Sequence, residues 1–232
     1  MTARITETPP NSYARLTGAL YLIIILSGIF SEVFVRSNLI VTGDASATAA
    51  NIMASQSLFR IGFAADTLML LSDVAVAVLL YVLLEPVSKT LSLTAAAFRL
   101  TQAAILGFNL LNYYAALLML KSSGYTAAFE TDKLNEQVMF FLQMHSHGYD
   151  LGLLFFALSN LILGYLIMRS DYIPSILGYG LIAAAIVYLS GSLTRFLIPE
   201  SLSLITPLYI IPLAAELSFS LWLLFKGEKI QT

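Results

Sequence analysis

Six stretches of the chain are dominated by apolar residues over the length a bilayer demands: residues 16–35, 61–84, 93–120, 148–168, 173–198 and 205–225. Each reaches or exceeds the roughly 20 residues that span a hydrocarbon core as a helix. Within lipid every backbone N–H and C=O must be satisfied inside its own segment, so these stretches are expected to be helical. The alternation over about 10 residues that marks a membrane β-strand is absent. The pattern predicts an all-α fold, an integral membrane bundle of six transmembrane helices formed by residues 1–232 as one domain.

The polar interruptions add two shorter elements. In "TGDASATAANIMASQ", Asp44 follows a glycine and precedes an alanine-rich run, as a helix N-cap does. This predicts a short extracytoplasmic helix over about residues 45–56, in the first outer loop. In "KSSGYTAAFETDKLNEQVMFFLQMHSH", an acidic first turn from Thr131 leads into an apolar run, which predicts a helix that begins in water and continues into the fourth span. Tyr81, Tyr165 and Trp222 precede the polar ends of the even-numbered spans, as interfacial aromatics do. Fragments such as "ARLTGA" and "FRLTQA" hint at repeated two-helix units, a likeness that chance between leucine-rich helices explains better.

With six spans the two termini share a side. Arg4, Arg15, Lys89, Arg99, Arg169, Lys226 and Lys229 fall there, against Arg36, Arg60, Lys121, Lys133 and Arg195 on the other. That bias puts both termini in the cytoplasm, with residues 36–58 and 121–145 outside. The leader "MTARITETPPNSYAR" is polar, and the apolar run after it is too long for a signal-peptide core, so the first helix is expected to be retained.

Composition agrees with a membrane setting: 58% hydrophobic residues and 11% charged, against roughly a quarter charged in soluble domains. The absence of cysteine removes disulfides, iron–sulfur clusters, thiolate zinc sites and cysteine nucleophiles. A formal charge of −2 without a basic patch argues against nucleic acid as a partner.

The candidate chemistry lies in polar residues inside the apolar stretches, where ionisable side chains cost a few kcal/mol each. Measured from the aromatic belt at about 1.5 Å per residue, Asp66 and Asp150 lie roughly 22 Å up, with Glu32, Arg60, Arg195, His145, His147, Asn112 and Tyr113 near that level. Asp73 and Glu216 are deeper, about 12 and 9 Å from the belt, within reach of Arg99 or of the amides of Gln102 and Asn109. Asp66 and Asp73 are seven apart and share a helix face, which must point inward. Binding or proton-relay candidates are therefore Asp66, Asp73, His147, Asp150, Glu216, Arg60, Arg99, Arg195 and Glu32. Arg60 or Arg195 is expected to neutralise Asp66, Asp150 or Glu32.

The two histidines, His145 and His147, are two apart on one segment and so point about 200° away from each other, which excludes a bis-histidine haem. His147 and Asp150 share a face and are expected to turn inward together, with Gly148 loosening the backbone between them. With Asp66 or Glu32 they have the makings of a His/carboxylate metal site, but no HExxH motif is present; neither metal nor cofactor is expected. "YLSGSLTR" offers Ser190 and Ser192, residues that in membrane helices usually bond back to their own backbone. Ion or proton movement fits the carboxylates better, since a desolvated carboxylate can exchange protons near neutrality and a histidine can serve at the mouth. No matching pair of Gly/Pro-broken helices, the usual sign of a transporter, is legible, although four prolines crowd the last third.

"RLTGALYLIIILSGIFSEVFVRS" with "TGDASATAANI", "GYDLGLLFFALSNLILGYLIMRSDYIPSILGYGL" and "AELSFSLWLLFKG" together resemble a bacterial multi-pass membrane family known as domain of unknown function four-three-eight-six. The likeness is most specific over residues 148–180 and at Glu216. It implies one all-helical domain in the bacterial cytoplasmic membrane and brings no activity, substrate or cofactor. His147, Asp150 and Glu216 fall within the family-like stretches, while His145 looks dispensable. The reading from the residues is a polar cavity, open to the outside, that binds a small solute or conducts protons. A membrane-embedded enzyme acting on a lipid or small apolar substrate, and a structural subunit of a larger complex, stand as alternatives. The expected partners are the lipid bilayer, a small-molecule or lipid ligand, and a second copy of the chain.

Overall fold

The fold was obtained as a computed structural model that describes residues 10–121 and 130–227. The turn expected at the start of the third outer loop falls outside them. The described chain is helical nearly throughout: α1 (Pro10–Ile29), a π-helical stretch (Phe30–Arg36), α2 (Ser37–Leu39), α3 (Ala45–Ala54), α4 (Gln56–Leu84), α5 (Lys89–Lys121), α6 (Thr131–Arg169), α7 (Ser175–Leu197), a 3₁₀ turn (Pro199–Ser201), α8 (Leu202–Ile205), a second 3₁₀ turn (Thr206–Tyr209) and α9 (Ile210–Lys226). They assemble six helical spans long and apolar enough to cross a membrane, from Ser12–Leu39 to Pro199–Lys226.

The boundaries follow local chemistry. Asp44 caps α3, its Oδ1 accepting from the Ala47 N–H at 2.8 Å. Pro86 cannot continue α4, and Pro174 stands at the N-cap of α7. α6 runs for 39 residues with Asp132 in its first turn and Arg169 in its last, the charge order its dipole favours. It passes Gly148 without a break. That glycine serves close approach, because a Cβ there would collide with the Asn109 amide.

The spans pack in chain order, α1 on α4, α4 on α5, α5 on α6, α6 on α7 and α7 on α9, and α9 returns to α1 to close a ring. Away from α3, the ring is sealed by glycines. A Cβ on Gly18 would stand 2.5 Å from the Leu224 nitrogen, and Gly164 and Gly178 would each thrust one to 2.6 Å from the other's carbonyl oxygen. Such contact of backbones is how apolar helices gain packing in lipid, where no hydrophobic force drives them together. Tyr21, Leu80, Leu84, Leu163, Ile167, Leu181, Phe219 and Leu223 fill that end. At the α3 end a second cluster gathers Val35, Ile52, Phe59, Tyr113, Leu117, Val138 and Leu142, with the Phe59 and Tyr113 rings stacked at 4.0 Å.

Two spans are irregular at the α3 end. The first becomes π-helical over Phe30–Arg36, and the sixth is broken by two 3₁₀ turns around Pro199 and Pro207. The proline break has a sequence signal. The π stretch, "FSEVFVR", contains neither glycine nor proline, which is why pattern reading passes over it. Irregular backbone at membrane depth is tolerated where it lines a cavity or is buried in protein.

Candidate functional site

The polar residues of the spans form two layers. In the deeper one, Arg99 on α5 is fully buried, with its Nε donating to Asp73 Oδ1 on α4 at 2.7 Å and Nη2 at 2.5 Å from the same oxygen. With its nitrogen turned inward, the Gln102 amide donates to Asp73 Oδ2 at 2.5 Å. The guanidinium lies between the rings of Tyr21 on α1 and Phe156 on α6, 4.7 and 4.9 Å from their centroids. One arginine thus ties four helices together. Of the two carboxylates it was expected to reach, Asp73 is the one with which it forms an ion pair.

Glu216 on α9 also faces the interior and is buried, but forms no ion pair among the described residues. Asn160 on α6 donates to its Oε1 at 3.1 Å, and Tyr188 on α7 hydrogen-bonds it. Asn109, the other amide expected near Asp73 and Glu216, instead donates to the backbone oxygen of His145 at 2.7 Å and accepts from Asn112 at 3.1 Å.

Nearer α3, the charges resolve into two groups. Arg36 Nε donates to Glu32 Oε2 at 2.7 Å and its Nη1 to Asp66 Oδ2 at 2.6 Å, over the ring of Tyr113. Arg195 on α7 pairs with Asp150 on α6. Arg60, expected to serve this cluster, is exposed and has no carboxylate partner among the described residues; it lies in the first turns of α4, on the face turned from the bundle. Arg36 replaces it. Sequence reading assigned Arg36 to the outer bases, but the π-helical turn carries it inward, where it is buried.

The histidines are reversed relative to expectation. His147 is exposed, its Nδ1 at 2.8 Å from the Gln143 carbonyl one turn back. His145 is buried, with Nδ1 between the Asn109 side-chain nitrogen at 3.2 Å and backbone oxygen at 3.3 Å. The inward face of α6 therefore carries His145 and Asp150. Among the described residues no three His, Asp or Glu side chains stand where they could share a metal ion.

Between the two charge groups opens a cavity of about 840 Å³. Its walls are the π stretch with Glu32 and Arg36, the face of α6 with His145, Tyr149 and Asp150, Arg195 at the end of α7, and the broken sixth span with Leu202, Thr206 and Tyr209. Tyr209 is seated by Gly191, where any Cβ would collide with its hydroxyl, and its ring meets Tyr188 at 5.8 Å. "YLSGSLTR" is thus a packing motif. Ser192 is buried and its hydroxyl is unpartnered among the described residues, but it does not line the cavity. Tyr149, Tyr188 and Tyr209 were not singled out from sequence, since tyrosines in membrane helices are read first as interfacial.

The family model of a domain of unknown function, DUF4386, matches residues 16–227. An uncharacterized protein of Archaeoglobus fulgidus is 31% identical over 163 residues, which cover 70% of this chain and 82% of that protein. No solved structure matches. From Leu16 to Gly227, a six-helix membrane bundle and its buried charge layers included, the chain belongs to the DUF4386 family.

Proposed function

We propose that this multi-pass membrane protein binds a small solute in the cavity at its α3 end, and that this end faces away from the cytoplasm. One observation carries the reading: a cavity of about 840 Å³, within the size range of small-molecule sites, whose walls pair apolar side chains with two separate arginine–carboxylate groups. The membrane is the bacterial cytoplasmic membrane, with both termini inside.

Proton conduction is less well supported. Below Tyr149 the carboxylate of Asp73 is engaged by Arg99 and Gln102, and the far end of the ring is closed by glycine contacts. An embedded hydrolase finds no serine hydrogen-bonded to a base in the cavity wall among the described residues.

The test is to fill the cavity. Leu153 is half-buried in its wall, and Leu153→Trp adds bulk there without a charge change. Native mass spectrometry of protein extracted in neutral detergent and incubated with a membrane extract is expected to show one bound non-protein mass per wild-type chain. The variant, with an unchanged unfolding midpoint, should lack it. Identical adduct spectra for both proteins would refute solute binding at this place.

A further inference from the structure

The two arginines of the cavity are unequally used. Arg36 spends Nε on Glu32 and Nη1 on Asp66. Arg195 has Asp150 as its one carboxylate partner among the described residues, and its side chain is 29% exposed, toward the cavity it lines. On the α6 wall, His145 is 5% exposed and its Nε2 has no hydrogen-bond partner among the described residues. A buried ring nitrogen left unpaired is a standing cost to the fold, which an acceptor held in the cavity that His145 lines would relieve. When Nδ1 accepts from Asn109 Nδ2, at 3.2 Å, Nε2 carries the hydrogen and is a donor. The cavity wall then holds a partly exposed cation with a single carboxylate partner and a buried donor with no acceptor among the described residues.

The remaining wall is apolar, with Ile40, Leu142, Leu153 and Leu202. It is also bounded by the two irregular segments. Residues 30–39 pack on α4 and α1, residues 202–209 on α7 and α9, and the cavity lies between them. The first and sixth spans close on each other only lower down, through α1 and α9, where Gly18 meets Ser220 and Leu224 and Tyr21 meets Phe219. The outward sides of these segments are lipid-like, with Phe34 and Leu204 strongly exposed.

We propose that the cavity takes an amphiphile with an anionic head, a carboxylate or a phosphate, from the leaflet at the α3 end. The head sits on the Arg195 guanidinium, with His145 in the facing wall of the same cavity, and the chain leaves between residues 30–39 and 202–209. This rests on the solute-binding reading above and names its ligand. Guanidinium favours such heads because its planar fork matches two oxygens at once.

The full chain in neutral detergent is titrated with phosphatidylglycerol, palmitate, phosphatidylcholine and glycerol 3-phosphate, with binding read by native mass spectrometry and by the unfolding midpoint. Phosphatidylglycerol and palmitate are expected to bind at least tenfold more tightly than the zwitterionic lipid or the bare head. Asp150→Asn frees Arg195 and should tighten binding severalfold. Asp150→Asn with Arg195→Gln leaves no unpaired charge, so the bundle should fold and the preference for anionic heads should vanish. His145→Phe should weaken binding severalfold. Equal affinity for phosphatidylcholine would overturn the anionic head, and equal affinity for glycerol 3-phosphate would overturn the leaflet as source. Unaltered lipid preference in the double variant would overturn the assignment of Arg195. Leu153→Trp separates the two readings. If it blocks phosphatidylglycerol while the double variant does not, the cavity stands and the head site falls; if it changes nothing, both fall.

Discussion

Two buried carboxylates at comparable depth are held in unlike ways, and the difference is measurable. Asp73 is compensated by Arg99, whereas Glu216 is held by an amide and a phenol. Removing one partner of a buried pair leaves an uncompensated charge, so Arg99→Met is expected to cost about 3–5 kcal/mol of stability. Glu216→Gln keeps a carbonyl oxygen for Asn160, so its cost should stay below about 1 kcal/mol. Unfolding midpoints in detergent rank the two, and a larger loss for Glu216→Gln would mean that its charge is what the bundle holds. The inward face of Asp66 and Asp73 was legible from their seven-residue spacing. The choice between His145 and His147 is legible too, in the seven-residue repeat of α6. Val138, His145, Gly152, Ser159 and Leu166 repeat every seven residues and are all buried, while His147 falls in register with Leu161 on the lipid face. Arg36 was harder, because a π-helical turn shifts the angular register that such counting assumes.

At the scale of elements, the glycines sort by what they touch. Gly164 and Gly178 bring the α6 and α7 backbones into contact, so a methyl on either must push rigid backbone aside. Gly164→Ala and Gly178→Ala are each expected to destabilise by about 1–3 kcal/mol, the usual range for overpacking. Gly107 is also mid-helix, but a methyl added there would meet nothing nearer than the tip of Leu70, at 3.9 Å. Gly107→Ala should therefore be neutral, or stabilising by up to about 1 kcal/mol from helix propensity. Thermal unfolding of the three variants side by side tests the seam, and equal effects would show that glycine matters here only through propensity. The elements themselves were largely open to sequence reading: six apolar runs, the Asp44 cap and the early start of α6 all carried local signals. What stayed hidden was the π-helical end of the first span, which carries neither glycine nor proline, whereas Pro199 and Pro207 mark the 3₁₀ turns of the sixth.

The whole molecule changes how its charges should be counted, and with that the strength of the orientation. In the sequence the basic residues divide seven to five. Three of these twelve are not loop charges at all: Arg99 is locked on Asp73 inside the ring, and Arg36 and Arg195 are paired with carboxylates on the cavity wall. A charge neutralised within the bundle does not act on translocation as a free loop charge does, and the positive-inside bias is a property of short loops. Setting them aside leaves Arg4, Arg15, Lys89, Arg169, Lys226 and Lys229 on the side of the termini, against Arg60, Lys121 and Lys133 on the side of α3. The termini then carry twice the positive charge of the α3 side, so the cavity should open away from the cytoplasm. The chain contains no cysteine, which makes single replacements clean reporters. Ala50, exposed on α3, and Thr90, exposed at the start of α5, mark the two ends. In intact cells a membrane-impermeant maleimide is expected to label Ala50→Cys and to reach Thr90→Cys only after lysis. The reverse pattern would turn the bundle over and make the cavity a site for a cytoplasmic-leaflet ligand.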